Sequence, residues 1–336
     1  MRAAIVGFVI AGYAAGARAD STVTVQLNQN GAQLASYLNL SVPDLITNAE
    51  TQFNTLFQTA QIPALLSAFA STSAIADHGL GVDYAVLPGE LMVGVVANGA
   101  LATDASFGSS SHELGGIVFN LAIMAGANFG RWGHPRWSVF ANGYYESESY
   151  HGLDGHLATG GVHVQYKILP EQRHGAISWL GLDATTGFEY AYSTIGKADT
   201  LPIKFKVYNP AGDSEHLTFE ATGTLNVVAK ASTVPIEVTT GLRLWNHLAL
   251  YAGGGLDITV APATIDVALA GDIDITSNMQ NVGTAQVTAS GSASPGVVTV
   301  HALAGLQLNV PYVHFYVQGV ISPADESVDV GLRLAF

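Results

Sequence analysis

From about residue 81 the chain alternates. In 216–230 the odd positions Leu217, Phe219, Ala221, Leu225 and Val227 are apolar, while Thr218, Glu220, Thr222, Thr224 and Asn226 are polar. In 264–275 Ile265, Val267, Leu269 and Ile273 oppose Asp266, Asp272 and Asp274. In 296–310 the even set Val298, Val300, Ala302, Leu306 and Leu308 opposes Thr299, His301, Gln307 and Asn309. Period two is the signature of a β-strand with two unlike faces. It predicts strands at 90–101, 114–129, 136–149, 157–169, 176–194, 202–209, 216–230, 234–245, 247–261, 264–275, 284–292, 296–310, 313–321 and 326–336. Most exceed the roughly 9–11 residues that a tilted membrane strand needs.

Residues 20–79 follow another rule. Ser41, before Pro43 and Asp44, is a suitable helix start. Leu45, Ile46, Ala49, Phe53, Leu56, Phe57 and Ala60 then recur at helical spacing, and 63–70 supplies a second apolar helical piece. The polar face of Asn48, Glu50, Thr51, Gln52 and Asn54 carries no basic residue, so this helix is expected to pack on protein and not on an anionic membrane surface. Residues 80–87 also alternate and fit either part.

Residues 1–19 read as a secretory signal peptide: a positive Arg2, a short apolar run, and Ala17-Arg18-Ala19 before an expected cut at Asp20. Beyond it the chain carries ten basic against 26 acidic residues, which argues against a nucleic-acid partner. The absence of cysteine excludes disulfides and zinc–thiolate sites. Only 11% of residues are charged and 49% are hydrophobic, yet no later run is long enough for a spanning helix. A closed β-barrel in a membrane solves that problem, because only every second residue must be apolar. A soluble β-sandwich is the alternative.

Two features favour the membrane. Short turns at 130–135, 169–175, 245–247 and 310–312 alternate with longer connections at 102–113, 150–156 and 195–201. Outer-membrane barrels show that asymmetry, with periplasmic turns and longer outer loops. All four tryptophans, Trp132, Trp137, Trp179 and Trp245, fall near the short turns, joined by Phe129, Tyr312, Phe315 and Phe336. Tyr144, Tyr145, Tyr150, Tyr190 and Tyr192 mark the opposite ends, so two aromatic belts are expected.

The last alternating strand, with Val330, Leu332, Leu334 and a final Phe336, together with the signal peptide, resembles the bacterial outer-membrane β-barrel family. That resemblance covers 81–336 and implies that the strand is read by the barrel-assembly machinery, and that outer-membrane lipid surrounds the protein. The expected fold is all-β: a transmembrane antiparallel barrel of about 14 strands over 80–336, with an N-terminal helical hatch over 20–79. Twelve strands is the alternative, if 264–292 is an outer excursion.

A 14-strand barrel is too wide for its own side chains to fill, so the helical head would plug it. A plugged barrel is similar to the FadL-like transporters of hydrophobic substrates. The resemblance is architectural, and the Asn-Pro-Ala motif frequent in that family's N-terminal region is missing from this head; Asn209-Pro210-Ala211 lies far down the body and reads as a turn. It implies a channel or transporter for a small, hydrophobic molecule, with Phe53, Phe57, Leu65, Leu66 and Phe69 touching ligand or merely sealing the head. A diffusion porin is the competing function. Glu146, Asp183, Glu189, Glu220, Glu237, Asp257, Asp266 and Asp329 are assigned to the lumen against Lys167, Lys204, Lys206, Arg243 and Arg333, which would favour cations. A structural or adhesive surface barrel is the third option. No cofactor or metal is expected, and no enzyme. Ser109-Ser110-Ser111-His112-Glu113 and the possible ligands His151, Asp154 and His156 read as polar outer loops.

Overall fold

The computed structural model describes residues 18–58, 61–76, 78–102, 117–150, 153–209, 211, 214–294, 297–323 and 325–336. Residues 1–17, most of the expected signal peptide, and Ser109–Glu113 lie outside it. Within it, β1 (Arg18–Leu27) leads to helices α1 (Gln29–Tyr37), α2 (Val42–Gln58) and α3 (Gln61–Ile75). Residue 76 and residues 78–90 form no regular element. Thirteen further strands follow: β2 (Leu91–Ala102), β3 (Ile117–Asn128), β4 (Trp137–Tyr150), β5 (Leu153–Leu169), β6 (Gln172–His174), β7 (Ile177–Tyr208), β8 (Ser214–Leu244), β9 (Leu248–Val260), β10 (Ala263–Ile275), β11 (Gln280–Ala293), β12 (Val298–Val310), β13 (Val313–Ile321) and β14 (Asp325–Ala335).

Fourteen strands share one antiparallel sheet, and the all-β barrel is present. The ring itself closes through ten of them: β2, β3, β4, β5, β7, β8, β9, β12, β13 and β14, with β14 pairing back onto β2. Reciprocal bonds between the backbones of Leu91 and Phe336 complete the seam at 3.2 and 2.9 Å. Closure satisfies every strand edge inside lipid. Four expected strands are halves of two long ones: 176–194 with 202–209 form β7, and 216–230 with 234–245 form β8. The hairpin β10–β11 is an outer excursion, which was the premise of the twelve-strand alternative.

The ring is inside-out. Val95, Phe119, Leu121, Ile123, Val162, Phe188, Ile236, Val238, Val300, Val330, Leu332 and Leu334 are exposed on its outer surface. Asn98, Asn120, Gln165, Gln307, Gln318 and Thr239 are buried within it. The short turns gather at one end, where Trp132, Trp137, Trp245, Tyr312, Phe315 and Phe336 are exposed. Trp245 and Asn246 both have positive φ in the tight three-residue turn between Leu244 and Leu248, where the His247 amide donates to the Leu244 carbonyl at 2.9 Å.

At the opposite end the sheet continues as a second layer. The upper halves of β7 and β8 pair with each other, β8 pairs with β10, β10 with β11, and β11 with β1. Residues 196–208 of β7 alone extend about 40 Å at roughly 3.3 Å per residue. This layer is buried like a soluble protein. Leu217, Phe219, Ile265, Val267, Leu269 and Val287 form its core with Leu34, Leu45, Phe53 and Leu66 of the helices. Its free edges are β1 and upper β7, and α2 lies against both. Ser21 Oγ donates to Asn54 Oδ1 at 3.0 Å, the Val25 amide donates to Glu50 Oε1 at 3.2 Å, and Asn48 Nδ2 donates to the Tyr208 carbonyl at 2.8 Å. The helix thereby occupies polar groups that an open sheet edge would leave bare. Ser41 caps α2 as expected, accepting from the Asp44 amide at 3.2 Å.

Candidate functional site

The chain passes from the outer layer to the short-turn end through the inside of the ring. The described residues of 76–90 make this passage, and Ala76, His78, Leu80, Val82, Asp83, Tyr84, Ala85 and Val86 are all buried. An irregular segment cannot satisfy its own backbone, so the wall must do it. The Gly79 amide donates to Glu189 Oε1 at 2.9 Å, and Asn142 Nδ2 donates to the Leu80 carbonyl. Arg333 Nη2 donates to the Val82 carbonyl, and Arg243 Nη2 to that of Ala85 at 2.6 Å. Gly79 and Gly81, with φ of 68° and 86°, make the bends on which these contacts depend.

Two buried arginines anchor the lower half. Arg333 Nη1 lies 3.4 Å from Asp83 Oδ1 and donates to Gln307 Oε1 at 2.9 Å, while its guanidinium covers the Tyr316 ring at 3.8 Å. Arg243 Nη1 pairs with Glu171 at 2.8 Å. Asp83 also has His314 Nδ1 at 3.8 Å. Nearby, Asp329 accepts from Asn98 and from Gln318 Nε2, the latter at 3.2 Å.

The upper half centres on two histidines between two carboxylates. Glu237 Oε1 lies 2.8 Å from His78 Nε2 and 3.3 Å from His301 Nε2. Asp257 Oδ1 lies 3.3 Å from His78 Nδ1, and Oδ2 lies 2.9 Å from His301 Nδ1. Tyr84 Oη donates to the other Glu237 oxygen at 2.7 Å. His163 and Glu189 sit beside this group, 3.6 Å apart. Ligand atoms of His78, Glu237 and His301 lie within 4.8 Å of one another, as do those of Asp83, Glu90 and His314. Arg333 already compensates Asp83, so of these two sets among the described residues the first is the better suited to a cation.

The expected site residues thus fall in three places. Asp183, Glu189, Glu237, Asp257, Asp329, Arg243 and Arg333 are buried against the lumen; Asp183 holds Lys167 at 3.0 Å. Glu146 also faces inward, accepting from Tyr144 at 2.7 Å. Glu220, Asp266, Lys204 and Lys206 belong instead to the outer layer, on its water-facing side, because there the inward face is the apolar one. Phe53 and Leu66 are sealed in the outer core, and Phe69 packs between that core and the ring's. Phe53 is 0% exposed, with its ring 4.5 Å from Phe205 and 5.2 Å from Phe219, so protein already fills the contacts assigned to a ligand. The side chains of Phe57 and Leu65, and residue His151, lie outside the described residues. Asp154 and His156 are strand residues of β5. Val330, Leu332, Leu334 and Phe336 face outward.

The missed residues are His78, Asp83 and Tyr84, from a stretch with no strand or helix of its own, and His301 of β12, which the alternation placed on the polar face without a role. The signal of the stretch was the density of glycine beside chargeable groups in His78-Gly79-Leu80-Gly81-Val82-Asp83-Tyr84.

An apolar outer belt, a polar buried interior and a closed ring define an outer-membrane β-barrel, here one with its own chain running through the lumen. The chain belongs to the Lsa36-like family, whose model matches residues 16–336. No curated protein matches it in sequence. Among solved structures it is similar to the attachment invasion locus protein Ail of Yersinia pestis, at 10% identity and a TM-score of 0.30, covering 74% of this chain and 100% of that one. It is also similar to the outer membrane protease OmpT of Escherichia coli, at 8% identity and 0.39, covering 74% and 97%. The monoaromatic hydrocarbon channel CymD matches at 7% identity and 0.25, covering 82% and 98%.

Proposed function

We propose that this protein is a closed surface barrel whose outer layer is its working part, presented for binding outside the cell and without catalytic activity. The observation that carries this reading is the pairing of a lumen packed by residues 76–90 with a separate, well-packed layer beyond the membrane belt. The layer's water-facing side is rich in hydroxyl and carboxylate groups, including Asp20, Thr22, Thr224, Asp266, Thr288 and Ser290 around one shallow concavity. Such a face suits a polar partner carrying positive charge.

The natural chain has no cysteine, so single cysteines report position without background. In intact cells, Asp266→Cys and Lys206→Cys are expected to react with a membrane-impermeant maleimide. Trp245→Cys and Tyr312→Cys are expected to react only after lysis. Protection of 266 and 206 in intact cells would remove the outer layer from the cell surface and end this reading.

A second reading keeps the barrel as a channel, in the manner of the FadL-like transporters or of a cation-preferring porin. It is favoured by one observation: the wall behind residues 76–90 is hydrophilic, with Asn98, Asn120, Gln165, Gln307 and Gln318 facing inward. Water could take the place of a segment that moved out. A hydrophobic cargo would find little apolar lining there.

A further inference from the structure

We propose that His78, Glu237 and His301 form a binding site for one divalent transition-metal ion of the zinc class, which fastens the lumen segment to the barrel wall. The three come from distant parts of the sequence: the segment itself, β8 and β12. All three are buried, at 1%, 2% and 6% exposure.

The hydrogen bonding of this group is incomplete. His301 Nε2, His78 Nδ1 and Asp257 Oδ1 are buried and make no hydrogen bond, and a buried orphaned polar group is costly. With neutral imidazoles, Glu237 and Asp257 would place two negative charges in one largely buried pocket with nothing positive between the rings. A divalent ion on Glu237 Oε1 and the two Nε2 atoms balances both charges. It also fixes each histidine as the Nδ1–H form, with both Nδ1 atoms turned to Asp257. A carboxylate behind a metal-bound histidine orients the ring and raises its basicity.

The geometry agrees. Metal–ligand lengths of about 2.0–2.1 Å in a tetrahedron set the ligand atoms ~3.3 Å apart. The separation of 3.3 Å from His301 Nε2 to Glu237 Oε1 matches that, while His78 Nε2, hydrogen-bonded to the same oxygen at 2.8 Å, would move out by about half an ångström to ligate; all three atoms lie within 4.8 Å of one another. Tyr84 holds Glu237 by its other oxygen, so Oε1 faces the two histidines, and a metal ion there would replace its hydrogen bond with His78 Nε2. Two imidazoles and one carboxylate suit zinc, cobalt or nickel far better than magnesium or calcium, which prefer oxygen donors alone.

The test uses the full chain, folded in detergent and stripped with a chelator. On adding Zn²⁺, one tightly held equivalent is expected, with a rise in the temperature at which the gel mobility shifts to the unfolded position. Co²⁺ is expected to give the intense visible absorption of a tetrahedral complex. His78→Gln and His301→Gln should each abolish the tight equivalent, and Asp257→Asn should weaken it by about 10–100-fold. The wild-type stoichiometry and cobalt spectrum decide the matter even if a variant fails to fold. No stoichiometric binding to the wild type, or stability that responds to pH but not to metal, would mean that protons alone join these groups and would overturn the proposal. So would a folded His301→Gln variant with undiminished zinc affinity.

Discussion

Replacing Arg333 with Met is expected to cost about 3–5 kcal/mol, the usual effect of removing one partner from a buried ion pair. The side chain is 1% exposed and meets Asp83, the Val82 carbonyl, Gln307 and Tyr316 at once. Met replaces most of its volume, so the loss is one of charge and hydrogen bonds. Asp83, itself 0% exposed, would then be left with neutral donors, the Ala85 amide at 2.9 Å and Gln307 Nε2 at 3.4 Å, and with the His314 ring at 3.8 Å. The measurement is urea unfolding in lipid vesicles, followed by heat-dependent gel mobility. Adding Asp83→Asn to Arg333→Met should restore part of the loss, because the stranded charge is gone. A double variant no better than the single one would show that Arg333 acts through packing on Tyr316 and not through Asp83.

Phe53→Ala is expected to cost about 3–5 kcal/mol as well, but only in the outer layer. The ring fills the space between Phe205 and Phe219, and truncation leaves a cavity where α2 should seal the two free edges. The ring of ten strands does not use this contact. Protease added to vesicles should therefore cut the variant within 18–58 and 196–230 far faster than the wild type, while the barrel stays resistant and keeps its heat-shifted mobility. Loss of both together would show that layer and barrel fold as one unit.

The barrel was legible because a membrane strand needs one apolar face, and the even positions Val298 to Leu308 and Val330 to Leu334 show it plainly. The outer layer was hidden by the same rule. In β8 the odd positions face inward along its length, yet Leu217, Phe219 and Ala221 become Thr233, Glu237, Thr239 and Arg243. Outside, Glu220, Thr222 and Thr224 give way to Val234, Ile236 and Val238. The strand leaves water and enters lipid, so the polar and apolar faces trade places without a turn. A sequence reading takes that change of phase for a break and counts two strands. The change of phase also explains Glu220 and Asp266: a polar residue opposite an apolar one faces the lumen in lipid but the solvent above it.

β1 was missed because 18–27 adjoins a signal-like segment and owes its pairing to β11, over 250 residues away. The lumen contacts could not be read at all, for they join backbone groups of an irregular segment to single side chains on separate strands. The glycine density of 78–84 and the excess of chargeable residues on inward-facing positions were the hints that a polar segment lies opposite the wall.

The central claim is that residues 76–90 close the lumen. Current through the wild-type chain in a planar bilayer tests it most directly. Insertion without conductance steps is predicted, and Arg333→Met should introduce intermittent openings as the segment loosens. Steady, well-defined open steps from the wild type would contradict the account and return the protein to the class of open channels.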